Sequence, residues 1–250
     1  MTDRPVTVVT GGGRGIGAAV VRRLAADGHD LVIGYRHDAQ AARTVASEAR
    51  RGGGRAEVVQ VDVTEPDQVD AFFDEADSLF GRVTGLVNNA GATVHLGDLA
   101  DTPVDVVRSV IDLNLTAALL CARRAVRSIS TRYGGPGGVI VNVSSAAATL
   151  GSPHEYVHYA AAKAGVDAMT VGLAKEVAAD GVRVVGVAPG TVFTSIHADA
   201  GDPDRAERYG AQVPLGRSAQ PDEVAGVVSF LLGPDAAYLT GTTIRMAGGR

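Results

Sequence analysis

Residues 6–17 read Val-Thr-Val-Val-Thr-Gly-Gly-Gly-Arg-Gly-Ile-Gly, a β-branched run followed by a glycine-rich turn. The turn leads into Ile16, Val20 and Leu24, which are spaced as the apolar stripe of a helix. Glycine lets a backbone approach a pyrophosphate closely, and free N–H groups at a helix start stabilise its charge. Glycine alone is a weak signal in a chain with 32 glycines, but strand, turn and helix together predict a dinucleotide-binding unit.

The alternation of short β-branched runs with longer helical patterns continues along all 250 residues. The predicted strands are Val6–Thr10, Leu31–Ile33, Glu57–Val61, Gly85–Asn88, Gly138–Val143, Val182–Val187 and Thr242–Met246. The predicted helices are Ile16–Asp27, Ala39–Arg51, Pro66–Phe80, Thr102–Tyr133, Tyr156–Asp180 and Pro221–Leu232. Repeated strand–helix units predict a single α/β domain over residues 1–250: a doubly wound (Rossmann) fold with a seven-stranded parallel sheet and helices on both faces.

Residues 194–216 have the weakest periodicity and mix glycine and proline with charged side chains. Long loops of this kind in compact domains are usually functional lids or disordered segments, and we interpret this one as a substrate lid. The glycine-rich pieces at 52–54 and 134–138 are short and read as turns, so no linker divides the chain.

Composition excludes several classes of function. The net charge of −5 disfavours nucleic acid as a partner, because phosphate binding requires a concentrated basic face. Cys121 is the single cysteine and cannot form an internal disulfide, and no metal site is predicted. Every apolar stretch is shorter than the ~20 residues of a membrane helix, and residues 1–5 lead into a strand without an apolar signal region. We expect a cytoplasmic protein that does not enter membranes.

The sequence after the second strand bears on the choice of nicotinamide cofactor. An acid at this point would select the free 2′-hydroxyl of NAD, but Tyr35 and Arg36 stand there instead. Arg36 and Arg14 could bracket a 2′-phosphate, which favours NADP(H). Asp38 is a counter-signal unless it caps the following helix, and Arg36 could equally be a solvated loop cation.

Tyr159 and Lys163 lie four residues apart and therefore share one face of a predicted helix. A neighbouring ammonium favours the phenolate and would lower the pKa of Tyr159, although such a pair is more often an ordinary helix surface. Tyr156 has no lysine four residues on and is assigned to the pocket wall. His154 and His158 could act as bases, but are better explained as loop and helix-surface residues.

Taken together, these motifs resemble those of the classical short-chain dehydrogenases/reductases, and the resemblance spans nearly the whole chain. The matching motifs are the TGxxxGxG turn at Thr10–Gly17, Asp62, NNAG at Asn88–Gly91, Asn114, Ser145 with Tyr159 and Lys163, Pro189-Gly190, and Thr194.

The resemblance implies a catalytic set of Asn114, Ser145, Tyr159 and Lys163. Ser145 would hydrogen-bond the substrate oxygen, Tyr159 would exchange its proton, and Lys163 would lower the pKa of Tyr159 and hold the nicotinamide ribose. Asn114 would position a water. The Ser145–Tyr159 interval is one residue longer than is common, through residues 151–155, so Ser144 stays an alternative.

The resemblance also implies binding residues for cofactor and substrate. The cofactor set is Thr10, Gly11, Gly13, Arg14, Gly15, Ile16, Gly17, Tyr35, Arg36, Asp62, Val63, Asn89, Ala90, Gly91, Tyr159, Lys163, Pro189, Gly190, Val192 and Thr194. The substrate set is Ser145, Tyr156, Phe193 and His197. A homotetramer is expected from the same resemblance and from the long, small-residue helices predicted at 102–133 and 156–180.

The expected function is NADP(H)-dependent hydride transfer between nicotinamide and a carbonyl or secondary alcohol of a small substrate. A 3-oxoacyl-carrier reductase and a glucose-type sugar dehydrogenase are the enzymatic alternatives. Gly138 and Asp180, where carrier-dependent relatives tend to place basic residues near the site entrance, rank the carrier substrate lower. A catalytically silent nucleotide-sensing regulator is the alternative from another class, since a fold does not guarantee a function.

Overall fold

The computed structural model describes residues 4–250 and contains one seven-stranded sheet in the order β3-β2-β1-β4-β5-β6-β7. All neighbouring strands are parallel. The strands are β1 Val6–Thr10, β2 Asp30–Tyr35, β3 Arg55–Gln60, β4 Gly85–Asn88, β5 Gly138–Val143, β6 Val182–Pro189 and β7 Thr243–Met246. The predicted doubly wound α/β fold is therefore confirmed.

Helices cover both faces of the sheet. They are α1 Gly15–Ala26, α2 Ala39–Arg51, α3 Pro66–Phe80, α4 Val104–Ile111, α5 Ala117–Ile129, α6 Ala147–Leu150, α7 Val157–Val177, α8 Ile196–Asp199, α9 Arg205–Gly210 and α10 Pro221–Leu232. One apolar core joins α1, α2 and α10 to the sheet around Leu24 and Leu231, and a second joins α3, α5 and α7 around Phe72 and Phe73. No helix within residues 4–250 combines the length and apolar character needed to cross a lipid bilayer.

Strand β2 begins one residue before the predicted strand Leu31–Ile33, at Asp30, whose carboxylate is buried. Asp30 is fully buried and forms ion pairs with Arg4 and with Arg55 of β3. The pairing compensates the charge, so the strand can begin at an acidic residue that the apolar pattern of Leu31–Ile33 excludes.

The single long helix predicted at 102–133 is wrong. The structure has α4, then a π-helical turn at Asp112–Thr116, then α5. Asn114 lies in that turn, and its side-chain amide donates to the Val110 carbonyl at 2.9 Å and to the Ala92 carbonyl at 2.8 Å. A side chain inserted into the backbone ladder in this way is a recognised cause of helix distortion.

The predicted lid, residues 194–216, contains the two short helices α8 and α9. Both stand next to the carboxyl ends of the strands. The chain reverses its winding between β1 and β4, which are adjacent in the sheet. Thr10 Oγ1 accepts hydrogen bonds from the backbone N–H groups of Asn89 and Ala90, both at 3.0 Å, and so ties the ends of these strands together. Ligands of open α/β sheets bind at such a switch point.

Candidate active site

A cavity of about 1150 Å³ opens above the carboxyl ends of the strands at the switch point. Most of the predicted site residues line it: Gly11, Gly13, Arg14, Gly15, Ile16, Gly17, Tyr35, Arg36, Asn89, Ala90, Gly91, Ser145, Tyr156, Tyr159, Lys163, Pro189, Gly190, Val192, Thr194 and His197. The volume is slightly above the ~300–1,000 Å³ that is usual for small-molecule sites.

The glycine-rich turn presents an open helix start to this cavity. Helix α1 begins at Gly15 without a side-chain cap and without an acidic residue in its first turn. A Cβ at Gly17 would lie 2.6 Å from Asn89 Nδ2 and closer still to the Gly11 carbonyl oxygen, so side chains are excluded from this cradle. Uncapped N–H groups beside a glycine-rich turn fit the pyrophosphate of a dinucleotide.

Both predicted phosphate-binding arginines line the cavity and are paired with carboxylates. Arg14 forms an ion pair with Asp199 of α8 at 2.6 Å, and Arg36 forms one with Asp62 at 2.8 Å. Burial acts to raise the pKa of Asp62, but hydrogen bonds from Thr64 and the Arg36 charge outweigh it and lower that pKa. Both arginines are more than half exposed, so their guanidinium groups can turn to another anion at little cost.

Asp38 accepts a hydrogen bond from the Ala41 backbone at 2.8 Å and caps α2. The capping interpretation is therefore confirmed, with one oxygen of the carboxylate engaged by the start of α2.

Helix α7 brings Tyr159 and Lys163 to the cavity wall beside Ser145. Lys163 is 4% exposed, its Nζ donates to the Val143 carbonyl at 2.9 Å, and Nζ lies 5.7 Å from the centre of the Tyr159 ring. Ser145 follows the end of β5, and its hydroxyl interacts with the Tyr159 hydroxyl. Three groups able to hold or move a proton therefore line the same part of the cavity wall.

Burial dominates the electrostatics of this pair. Desolvation raises the pKa of Tyr159 well above its ordinary value, and the Ser145 hydroxyl opposes the rise. Desolvation also lowers the pKa of Lys163 to about 8, partly offset by Asp167. The expected lowering of the Tyr159 pKa by Lys163 is thus not found in the protein alone, because both groups are removed from water.

The two candidate serines point to different partners. Ser144 is buried, and its hydroxyl donates to the Lys163 carbonyl at 3.3 Å, on the backbone of α7. Ser145 Oγ accepts from the Ala147 N–H at 3.1 Å and faces Tyr159. The geometry favours Ser145 as the residue that contacts substrate.

Asn114 lies behind the cavity wall rather than in it. Its amide donates to Ala92, and its carbonyl oxygen accepts from the Ala92 N–H at 3.3 Å. Gly91 is so close to both Asn114 and Lys163 that a Cβ there would contact Asn114 Oδ1 at 2.6 Å and Lys163 Nζ at 3.4 Å. Asn114 therefore holds the loop after β4 against the lysine.

Four predicted binding residues do not line the cavity. Thr10 joins β1 to β4, Asp62 binds Thr64 and Arg36, and Val63 is buried in the core. The Phe193 backbone N–H donates to the Ala219 carbonyl at 2.9 Å, which fixes this residue below the lid.

Three interpretations of individual residues need correction. Gly138 and Asp180 lie at the amino ends of β5 and β6, the edge of the sheet opposite the cavity, so they carry no information about its entrance. His158 is buried, not on the helix surface, and desolvation lowers its pKa. His154 is exposed and bonds Asp98 at 2.8 Å, as expected for a loop residue.

The sequence reasoning missed a charged pair on the cavity wall. Glu155 and Arg205 both line the cavity and bind each other, although they are fifty residues apart. The longer interval after Ser145 was the available signal, because Glu155 ends that segment.

Comparisons with known proteins agree with this geometry. A sequence profile described as "Enoyl-(Acyl carrier protein) reductase" matches residues 11–250. An uncharacterized oxidoreductase of Escherichia coli K12, YgfF, is 41% identical over 98% of this chain and 99% of its own length. A 3-oxoacyl-[acyl-carrier-protein] reductase of Synechocystis is 40% identical over 98% of this chain and 96% of its own.

Among solved structures, a short chain dehydrogenase of Burkholderia cenocepacia in complex with NADP is 33% identical, with a TM-score of 0.90. The match covers 98% of this chain and 97% of that chain. Profile, relatives and architecture all extend over nearly the full length, together with the motifs on the cavity wall. The chain belongs to the short-chain dehydrogenase/reductase family.

Proposed function

We propose that this protein is an NADP(H)-dependent oxidoreductase that interconverts a carbonyl and a secondary alcohol on a small substrate, with Tyr159 as the general acid/base. The observation that carries the proposal is that Ser145, Tyr159 and Lys163 share one cavity with the uncapped start of α1. The nicotinamide supplies or accepts the hydride when bound.

The chain's own residues handle the proton. Tyr159 donates its hydroxyl proton to the carbonyl oxygen in reduction and recovers it in oxidation, while Ser145 donates a hydrogen bond to the same oxygen. The lysine ammonium stabilises the transient phenolate, and its pKa of about 8 lets it exchange protons near neutrality. The Val143 carbonyl fixes the position of Lys163.

Arg14 and Arg36 support the choice of NADP(H) over NAD(H). Arg14 within the glycine-rich turn and Arg36 after β2 both line the cavity, and Tyr35 stands where an acid would repel a 2′-phosphate. A phosphate can replace Asp199 on Arg14 and Asp62 on Arg36, because both guanidinium groups are exposed to solvent.

A small free carbonyl is favoured over an acyl-carrier substrate by the charges near the lid. Two arginines of the lid are paired with carboxylates, Arg205 with Glu155 and Arg208 with Asp202. An acidic carrier protein would need basic residues that are free to bind it. The carrier substrate stays the second candidate because the Synechocystis relative carries that name.

The experiment is a substrate panel monitored by NADPH absorbance. Cyclohexanone and an acetoacetyl thioester of N-acetylcysteamine are offered with NADPH, and D-glucose is offered with NADP⁺. Turnover of the free ketone supports the proposal, and turnover of the thioester alone supports the second candidate. Cofactor binding without turnover of any carbonyl or alcohol would instead favour the catalytically silent regulator.

We also propose a cytoplasmic homotetramer. The exposed apolar side chains Leu119 on α5 and Val171 on α7 support packing against symmetry mates, and the buried, unpaired Cys121 suits a reducing compartment. Neither Leu119 nor Val171 lines the cavity, so assembly through these side chains would leave it accessible.

A further inference from the structure

The wall of the cavity next to Tyr159 is built on an unusual segment, residues 151–156. Ser152 and His154 have φ angles of +47° and +62°, a left-handed conformation that is costly for residues other than glycine. Such a conformation persists only where surrounding contacts hold it. The segment includes the extra residue in the Ser145–Tyr159 interval, and its contacts reach both the loop after β4 and the lid.

One set of contacts ties the segment to the loop after β4. The Gly97 N–H donates to the Glu155 carbonyl at 2.8 Å, and His154 Nδ1 bonds an Asp98 carboxylate oxygen at 2.8 Å. These bonds fix the backbone of Glu155 and direct its side chain away from that loop.

The Glu155 carboxylate binds lid helix α9. Arg205 Nη1 and Nη2 donate to its two oxygens at 2.8 and 2.7 Å, in the parallel two-bond geometry that is the strongest for this pair. The Tyr209 hydroxyl donates to the same carboxylate. Burial acts to raise the pKa of Glu155, but the bonds from Arg205 and Tyr209 outweigh it and keep that pKa below its ordinary value.

Arg205 also reaches the catalytic helix. Its side chain is only 6% exposed, it donates to the Tyr156 hydroxyl at 2.9 Å, and its guanidinium stacks 4.2 Å from the centre of the Tyr209 ring. The Tyr156 ring meets the Tyr159 ring edge to face, with centres 5.4 Å apart. A continuous set of contacts therefore links helix α9 of the lid, the segment 151–156 and Tyr159.

We propose that Glu155 and Arg205 are positioning residues whose partly buried ion pair fixes lid helix α9 to the amino end of α7 and, through Tyr156, orients Tyr159 and closes the substrate end of the cavity. The effect on catalysis rests on the proposed role of Tyr159. The attachment of the lid does not depend on it.

The neighbouring Arg208 provides a matched control. It lies on the same short helix and pairs with Asp202, but it is 53% exposed. A surface pair of this kind contributes little, so Arg208→Lys should behave as the parent protein. The test variants are Glu155→Gln, which keeps the shape and removes the charge, and Arg205→Lys, which keeps the charge and removes the two-bond geometry.

Hydrogen–deuterium exchange of the cofactor-free protein measures the attachment directly. We expect amides of residues 205–210 and 152–156 to exchange at least about tenfold faster in Glu155→Gln and Arg205→Lys, with β1 and β4 unchanged. Tyr209→Phe removes one hydrogen bond and leaves the ion pair, so it should give a smaller increase and serves if either charge variant fails to fold. Parent-like exchange in these segments, or an equal increase throughout the chain, would overturn the proposal.

Steady-state kinetics with the best substrate of the panel measure the positioning. The KM for that substrate should rise by about tenfold or more in Glu155→Gln, while the KM for NADPH stays within about twofold, because α9 covers only the substrate end. An unchanged KM for that substrate would contradict the closure of the substrate end, whether or not kcat falls. Absence of turnover in the parent would refute the proposed function, and the exchange result would still decide the attachment.

Discussion

Gly17→Ala tests whether the glycine-rich turn is built around a bound dinucleotide. The added Cβ would lie 2.6 Å from Asn89 Nδ2 and closer still to the Gly11 carbonyl oxygen, well inside the ~3.5 Å at which non-bonded atoms pack. Both neighbours are held in place, since Asn89 Nδ2 donates to the Gly11 carbonyl at 3.1 Å. The turn must therefore move by a substantial fraction of an ångström.

Overpacking of this kind typically costs about 1–3 kcal/mol. We expect the melting temperature to fall and the Kd for NADPH, measured by titration calorimetry, to rise by at least about tenfold, which corresponds to ~1.4 kcal/mol. The displaced N–H groups of α1 can no longer converge on the pyrophosphate.

Gly226→Ala is the matched control. Gly226 lies inside α10, where an added Cβ would meet nothing closer than Arg23 Nη1 at 4.0 Å. Alanine is the better helix former by about 1 kcal/mol, so this variant should melt higher and bind NADPH as the parent does. An unchanged Kd and melting temperature in Gly17→Ala would refute the assignment of the turn.

Three further outcomes are expected. Burial lowers the pKa of Lys163 from 10.5 to about 8, so the unfolded chain binds more protons between these values and stability rises with pH there. Over that range the parent should gain up to about 3 kcal/mol of unfolding free energy relative to Lys163→Met, and a constant difference in denaturant titrations would contradict this. The kcat/KM for NADPH should exceed that for NADH by at least about tenfold, and Tyr35→Asp with Arg36→Ala should reverse the order; equal values in the parent would make Arg36 an ordinary surface cation. Light scattering should give four times the chain mass, and a value near 25.5 kDa would exclude the tetramer.

Much of the fold was predictable because the signals are local. Apolar runs such as Val6–Thr10 and Gly138–Val143 fall inside one strand each, and their alternation with helices fixes parallel topology. The predicted ends of strands and helices were wrong where a residue distant in the sequence determines them. Asp30 extends β2 because Arg55 neutralises it, and Asn114 interrupts a helix because it binds Ala92.

The site divides in the same way. Tyr159 and Lys163 share a helix, so their spacing predicts a common face. Glu155 and Arg205 are fifty residues apart, in a segment without periodicity, and only the folded chain brings them together. The pKa shifts of the site could not be predicted from the sequence either, because the pKa of Lys163 depends on a burial that its sequence neighbours do not reveal.

The most direct test of the account is Tyr159→Phe, which removes the hydroxyl that carries the transferable proton and leaves the ring in place. We expect kcat/KM for the best substrate to fall by about 10² to 10⁴-fold while the Kd for NADPH stays within about twofold. Tyr238→Phe, at a tyrosine that is 101% exposed, should retain parent activity and controls for the substitution itself. Turnover of Tyr159→Phe at the parent rate would contradict the assignment of Tyr159 as the acid/base and with it the proposed mechanism.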